Sequence, residues 1–101
     1  MRVGAFLDIR VNGAVSFLGY GEYTGESLPD EGLSGFSEIL RKSGVKVPRI
    51  VLDSGEVIFG CECWWDEESK VKEVLSNSQK IVQVSISEYR KSLGVQVIEE
   101  L

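Results

Sequence analysis

Histidine is absent from the 101 residues of this chain. It is the commonest general base, the commonest metal ligand and the usual partner of a nucleophilic serine or cysteine. The sequence also carries neither a P-loop nor a dinucleotide-binding fingerprint. These absences predict a protein with no catalytic residues, no metal and no cofactor, and they favour a function other than catalysis.

Long apolar runs are also missing, so the sequence predicts no segment that spans a membrane. The N-terminal stretch MRVGAFLDIRV is interrupted by Asp8 and Arg10 too early to form the core of a signal peptide. We therefore expect a cytoplasmic protein.

Basic side chains are scarce and the acidic excess is uneven. The net charge is −5, with six basic and six acidic residues in positions 1–50 but five basic and ten acidic in positions 51–101. Nucleic-acid binding normally requires a basic patch that replaces counterions on phosphates. The charge pattern argues against a nucleic-acid partner, and the acidic half suits a basic protein partner instead.

The length and the order of elements predict the fold class. A chain of 101 residues fits one compact domain, residues 1–101. Hairpins that alternate with single helices predict an α+β domain with a mainly antiparallel sheet of four to six strands and two short helices, in the order ββαββαβ.

Asn12-Gly13 predicts the turn of a first hairpin, because both central residues of a type I′ turn need positive φ. Pairing Val11 with Ala14 places Val3, Ala5, Leu7, Ile9, Val11, Ala14, Ser16, Leu18 and Tyr20 on the core face. The other face then groups Gly4, Gly19 and Gly21 with Phe6, Phe17 and Tyr23. Bare backbone beside aromatic rings lets a ligand approach closely, although strand glycines also mark bulges and bends.

Later segments complete the predicted elements. The spacing of Leu33, Phe36, Ile39 and Leu40 predicts a core-packing helix, with Ser34 as its cap and Gly44 at its end. A second helix is predicted over Asp66 to Asn77 with Asp66 as N-cap, and a strand over Lys80 to Ile86. A helical turn over Glu88 to Leu93, closed by Gly94, and a terminal strand over Val95 to Ile98 follow.

The stretch from Val47 to Trp65 predicts a second hairpin that holds both cysteines and both tryptophans. A two-residue Ser54-Gly55 turn pairs Leu52 with Val57, gives a continuous apolar face and brings Arg49 diagonal to Glu62, so we favour this register. A three-residue Asp53-Ser54-Gly55 turn with a glycine bulge is equally good turn chemistry and would shift the pairing by one residue.

Strand alternation separates Trp64 from Trp65, because successive side chains point to opposite faces. One indole is predicted in the core, and the other is covered by the second helix, exposed in a ligand pocket or buried between subunits. Cys61 and Cys63 are two thiols where a structural zinc site needs four ligands. They are poorly placed for an unstrained disulfide, so we interpret them as reduced packing residues. Only a site shared across a dimer could supply four thiolates.

The surplus of aromatic residues without catalytic apparatus favours a binding or sequestering module. The candidate ligand-binding residues are Phe6, Phe17, Gly19, Gly21, Tyr23, Arg49, Trp64 and Trp65. Such a site suits a nucleotide-like or other planar small ligand bound by a homo-oligomer, with Arg2, Arg10 or Arg49 as the countercharge. The small size fits an accessory or regulatory protein of a phage or mobile element.

Two other functions stay open at the level of sequence. One is a protein–protein inhibitor or immunity-type decoy that uses the acidic surface. The other is an enzyme that uses carboxylates such as Asp8, Glu22 or Glu62, or a cysteine nucleophile.

Overall fold

A computed structural model describes residues 1–9, 12–33 and 35–100, and for residues 94–100 it describes no side chains. In chain order the elements are β1 (Arg2–Ile9), β2 (Ala14–Ser27), α1 (Phe36–Lys42), β3 (Val47–Leu52), β4 (Val57–Phe59), β5 (Trp64–Glu67), α2 (Glu68–Ser76), β6 (Lys80–Gln83) and α3 (Ile86–Glu100). The predicted α+β class with a mainly antiparallel sheet is confirmed.

β2 is the centre of the six-stranded sheet. The strand order is β4-β3-β2-β1-β5, and β6 also pairs with β2. One edge of β2 pairs with β1. The other edge is shared: residues 14–17 pair with β6 in parallel, and residues 21–27 pair with β3 in antiparallel fashion. A strand of 14 residues is long enough to serve all three neighbours.

The predicted register of the first hairpin, set by a Val11–Ala14 pair, is wrong by one residue. Val11 itself lies outside the described residues. Ile9 pairs with Val15, and Val3 pairs with Gly21. The Asn12 side chain accepts a hydrogen bond from the Ala14 amide at 3.1 Å, which is an Asx-type turn in place of a two-residue hairpin loop. A shift of one residue exchanges the two faces of a strand.

The predicted glycine strip is therefore not formed as expected. Gly21 lies opposite Val3 on the core side, while Gly4 lies opposite Tyr20 on the other side. A Cβ on Gly4 would lie 2.7 Å from Cγ1 of Val71 in α2. A Cβ on Gly21 would lie 2.3 Å from the carbonyl oxygen of Val51 in β3. Both glycines permit close packing inside the protein, which is the structural alternative that the sequence left open.

The second hairpin adopts the register that the sequence analysis did not favour. Val51 pairs with Val57, and Ile50 pairs with Ile58. The Gly55 amide donates to the Leu52 carbonyl at 2.8 Å, and Gly55 has φ of 94°. The predicted Leu52–Val57 pair is wrong because positive φ at Gly55 closes a three-residue loop with a bulge.

The strand after this turn is also shorter than predicted. β4 ends at Phe59, residues 60–63 form a turn, and β5 starts a new pairing with β1. The Gly60 amide donates to the Pro48 carbonyl at 2.8 Å, and the Glu62 amide donates to the Phe59 carbonyl at 2.9 Å. This turn carries the chain from one edge of the sheet to the other.

Both faces of the sheet are covered. One face holds the core cluster of Val3, Ala5, Leu18, Ile50, Leu52, Ile58 and Ile86, to which α3 contributes Ile86. On the opposite face α2 packs against β1 through the fully buried Val71. The core is thus closed by a C-terminal helix that the sequence indicated only as a short turn.

The helices differ from their predicted bounds. The prediction that α1 packs against the core is wrong for Phe36 and Ile39, which are 63% and 59% exposed. Periodicity identifies an apolar stripe but not whether another element packs against it. The predicted cap Ser34 lies outside the described residues. Gly44, with φ of 74°, does end the helix, as predicted.

α2 begins at Glu68, later than predicted, because Asp66 and Glu67 pair with β1 as part of β5. Near the C-terminus β6 ends at Gln83, and Ile86 opens α3 where the sequence predicted the end of a strand. The range predicted as a terminal strand, Val95 to Ile98, falls within the bounds of α3. The prediction that Gly94 closes a turn is wrong, because Gly94 lies within the bounds of α3. Glycine inside a helix costs only about 1 kcal/mol, which the helix tolerates.

Candidate functional site

The two tryptophans of β5 lie in different environments. Trp65 pairs with Ala5 and packs against the core, where its ring stacks on Tyr23 with centroids 5.5 Å apart and an interplanar angle of 10°. Trp64 pairs with Phe6 and is 69% exposed. The expected separation of the two indoles is confirmed: Trp65 is half-buried against the core and Trp64 is exposed, because a paired strand alternates its faces.

A cavity of about 530 Å³ opens beside Trp64. We call it the indole cavity, and its walls include Leu7, Cys61, Glu62, Trp64, Trp65 and Tyr89. They come from β1, the turn after β4, β5 and α3. The volume is in the range of small-ligand sites in proteins.

A second cavity of about 410 Å³ lies next to it, and Leu7 and Tyr89 line both. We call it the serine cavity, because Ser16, Ser85 and Ser92 line it together with Asp8 and Glu88. The two cavities together follow α3, so this helix forms a wall of the candidate site.

An ion pair between α3 and the turn after β4 holds this wall in place. Arg90 donates from Nε to Oε2 of Glu62 and from Nη2 to Oε1, both at 2.7 Å. Glu62 also accepts from the Phe59 amide at 3.1 Å, and Arg90 also donates to the Val57 carbonyl at 3.0 Å. The hydrogen bonds to Glu62 raise the pKa of Arg90. The predicted diagonal pair of Arg49 with Glu62 is wrong, since Arg49 donates to Thr24 Oγ1 at 3.1 Å.

The two cysteines are free thiols in the turn, not neighbours on one strand face. Burial, followed by the charges of Glu62 and Cys61, raises the pKa of Cys63 from 9.0 to about 12. Its Sγ lies 3.7 Å from the Phe59 carbonyl oxygen, and Cys61 Sγ lies 3.4 Å from Ser37 Oγ. A thiol with so high a pKa is a poor nucleophile near neutral pH.

Cys63 is therefore expected to resist alkylation in the folded protein. At pH 8 a thiol of pKa about 12 is ionised in only about one molecule in ten thousand. Peptide mass spectrometry after iodoacetamide treatment should find Cys63 unmodified in buffer and fully modified in urea. Equal modification in both conditions would contradict the buried thiol.

The remaining predicted site residues are dispersed. Phe6 shares a smaller cleft of about 150 Å³ with Trp64 and Lys70. Phe17 is buried, with its ring 5.0 Å from that of Tyr20. Tyr23 stacks on Trp65 on the core side of the sheet. Gly19 and Gly21 lie on the same side, where they pair with Ala5 and Val3 of β1. Of the eight predicted residues, only Trp64 and Trp65 line the indole cavity.

Of the predicted countercharges, Arg2 and Arg49 do not line the indole cavity. Arg2 donates to both carboxylate oxygens of Asp53 at 2.7 Å and to Glu68 at 3.1 Å. The hydrogen bonds from Arg2 hold the pKa of Asp53 below its usual value. Arg10 lies outside the described residues. These contacts engage Arg2 with carboxylates of this chain.

No family model matches this chain, and no curated protein or solved structure shows significant similarity to it.

The carboxylates considered for catalysis lie in three separate environments. Glu62 is paired with Arg90, Glu22 accepts from the N-terminal amine at 3.3 Å, and Asp8 lines the serine cavity. Among the described residues no group of three or more Cys, Asp and Glu side chains is arranged to hold a metal ion. None of the helices in the described part of the chain is long and apolar enough to cross a bilayer.

Sequence reasoning missed Leu7, Tyr89 and Arg90. Leu7 was assigned to a core strand, whereas here it lines both cavities. Tyr89 and Arg90 were placed in a short turn with no function. The signal for Arg90 is Glu62, an acid in an apolar segment that needs a partner when it is buried, and the predicted register assigns it Arg49 in place of Arg90.

Proposed function

We propose that this protein is a non-enzymatic binding module that takes a planar small ligand against Trp64. The observation that carries the proposal is an indole with 69% exposure at the wall of a cavity of about 530 Å³. A large exposed aromatic surface beside a concave site favours stacking with a planar ring.

The position of Trp64 supports this function because strand pairing holds its backbone in place. Its strand pairs with β1 at four successive positions, from Val3–Glu67 to Phe6–Trp64. The next residue, Trp65, is fixed by its stack on Tyr23. A preorganised aromatic side chain loses little entropy when a ligand binds.

A nucleotide-like ligand is one member of the proposed class. Its base would stack on Trp64, and Lys70, which lines the cleft shared by Phe6 and Trp64, would supply a cation for its phosphate. Stacking of a base on an aromatic side chain contributes about 1–3 kcal/mol.

Fluorescence titration tests the proposal directly. In a Trp65→Phe variant Trp64 is the single indole, so its quenching reports occupancy. Planar ligands, including nucleosides, nucleotides and cyclic nucleotides, are expected to quench it in a saturable way. A Trp64→Ala variant, measured by calorimetry, should bind at least about 5-fold more weakly.

An exposed apolar residue elsewhere provides the control. Ile81 is 49% exposed in β6, and Ile81→Ala should bind as the parent protein does. The proposal fails if no planar ligand in the panel gives quenching, heat or a thermal shift.

A protein partner is the second candidate function, and α1 favours it. Phe36 and Ile39 are three residues apart, so they share a helix face and leave it largely exposed. A second copy or a basic protein could cover this face. Light scattering over a range of concentrations tests for a homo-oligomer, and a basic partner that meets the acidic surface should bind more weakly as salt is raised.

A further inference from the structure

We propose that the indole and serine cavities, which together form a groove along α3, select a cationic ligand. This ligand is an organic ammonium ion that carries an aromatic or other apolar ring. This inference rests on the proposed function, because it places the ring in the region of Trp64 and Tyr89 and specifies the charge of the rest of the ligand.

The charged groups that line the two cavities are acidic. Asp8 and Glu88 line the serine cavity, and Glu62 lines the indole cavity. Among the described residues, neither cavity is lined by Lys or Arg. Glu62 is paired with Arg90, so among the described residues the lining carboxylates that make no ion pair are Asp8 and Glu88.

The same cavity also holds a serine hydroxyl with no hydrogen-bond partner among the described residues. Ser16 is 4% exposed and lines the serine cavity. Within the described part of the chain its side chain makes no hydrogen bond, whereas Ser85 Oγ lies 2.7 Å from Ser87 Oγ. Ser16 pairs with Asp8 across the strands, so the hydroxyl and the carboxylate come from neighbouring positions of the sheet. A hydroxyl that faces the cavity offers an acceptor to a ligand N–H.

The remaining walls suit the apolar part of such a ligand. Leu7 and Tyr89 line both cavities, and Val84 lines the serine cavity. A cation near the face of Tyr89 would gain a cation–π contact, and an ammonium group donates charge-assisted hydrogen bonds to carboxylates. A carboxylate or phosphate at the same place would be repelled by Asp8 and Glu88.

Three probes of similar shape separate charge from stacking. They are 2-phenylethylammonium, its neutral analogue 2-phenylethanol and the anion 3-phenylpropionate. Calorimetry, with Trp64 fluorescence as a second measure, should show that the ammonium ion binds at least about 10-fold more tightly than the alcohol, with the carboxylate weakest.

Isosteric variants locate the charge effect. Asp8→Asn and Glu88→Gln should each reduce affinity for the ammonium ion by at least about 5-fold and leave affinity for the alcohol unchanged. Ser16→Ala should reduce affinity for the ammonium ion by less than either of these two substitutions. Glu73→Gln removes an exposed carboxylate on α2, outside both cavities, and should have no effect. Thermal melts confirm that each variant is folded.

The outcomes distinguish this inference from the function on which it rests. If all three probes bind equally, or the carboxylate binds best, the cation preference is wrong while a planar-ligand module stands. If the ammonium ion does not bind, the inference is also wrong, and the wider planar panel then decides the proposed function on its own.

Discussion

Replacing Trp65 by alanine is expected to lower the free energy of unfolding by about 3 kcal/mol. The Trp65 ring packs against the core and stacks on Tyr23. Its removal takes away the ring that packs against the core beside Ala5 and Tyr23. Urea denaturation followed by circular dichroism measures the change without relying on the indole that is lost.

Trp64 provides the matched control on the adjacent residue. Trp64→Ala should change the free energy of unfolding by less than about 0.5 kcal/mol, because its side chain is already largely exposed. A similar loss of stability in both variants would show that Trp64 is covered in solution. That outcome would also remove the surface on which the proposed ligand stacks.

Breaking the pair of Glu62 and Arg90 is expected to cost about 2–3 kcal/mol. The Glu62 side chain is 6% exposed and that of Arg90 is 29% exposed. Loss of one member from a fully buried pair costs about 3–5 kcal/mol, and the partial exposure of Arg90 reduces this value. Glu62→Ala also removes the acceptor of the Phe59 amide.

A double-mutant cycle isolates the interaction. Glu62→Ala, Arg90→Ala and the double variant should give a coupling energy of about 1 kcal/mol or more. The comparison pair is Glu38 and Arg41 on α1, which also form two hydrogen bonds at 3.1 Å but are half-buried and lie three residues apart within one helix. That pair should couple by only about 0.3–0.5 kcal/mol. Equal coupling in both pairs would show that the contact with α3 stabilises the protein no more than a local pair within one helix.

The candidate site depends on this contact for a geometric reason. The indole and serine cavities both use Tyr89, and the adjacent residue Arg90 ties α3 to the turn after β4. We expect variants that break the pair to weaken ligand binding as well as stability. This double effect distinguishes them from Asp8→Asn and Glu88→Gln, which should alter binding alone.

Local sequence signals were sufficient for the types of most elements. Alternation and turn residues predicted β1, β2, β3 and β6, and helical spacing predicted α1 and α2. They also separated Trp64 from Trp65, because alternation is a property of any paired strand. The turn residues Asp53, Ser54 and Gly55 are compatible with two registers of the second hairpin. The observed register is one of them, but the apolar pattern favours the other.

Register, by contrast, was decided by features that span the sheet. Two register shifts near Phe6 adjust the pairing of β1 with β2, and a single-residue shift reverses which side chains enter the core. Gly4 and Gly21 were thereby assigned to close packing and not to a ligand surface. The predicted eight-residue site was lost for this reason.

The sequence by itself determined which functions its composition favours, the α+β class and the separation of the two indoles. These follow from residue chemistry and local periodicity. Only the tertiary structure decided that α3 closes the core through Ile86, that Glu62 and Arg90 meet across 28 residues, and that Leu7 and Tyr89 bring two cavities together. Such contacts between distant residues depend on strand register and helix docking, which no local pattern specifies.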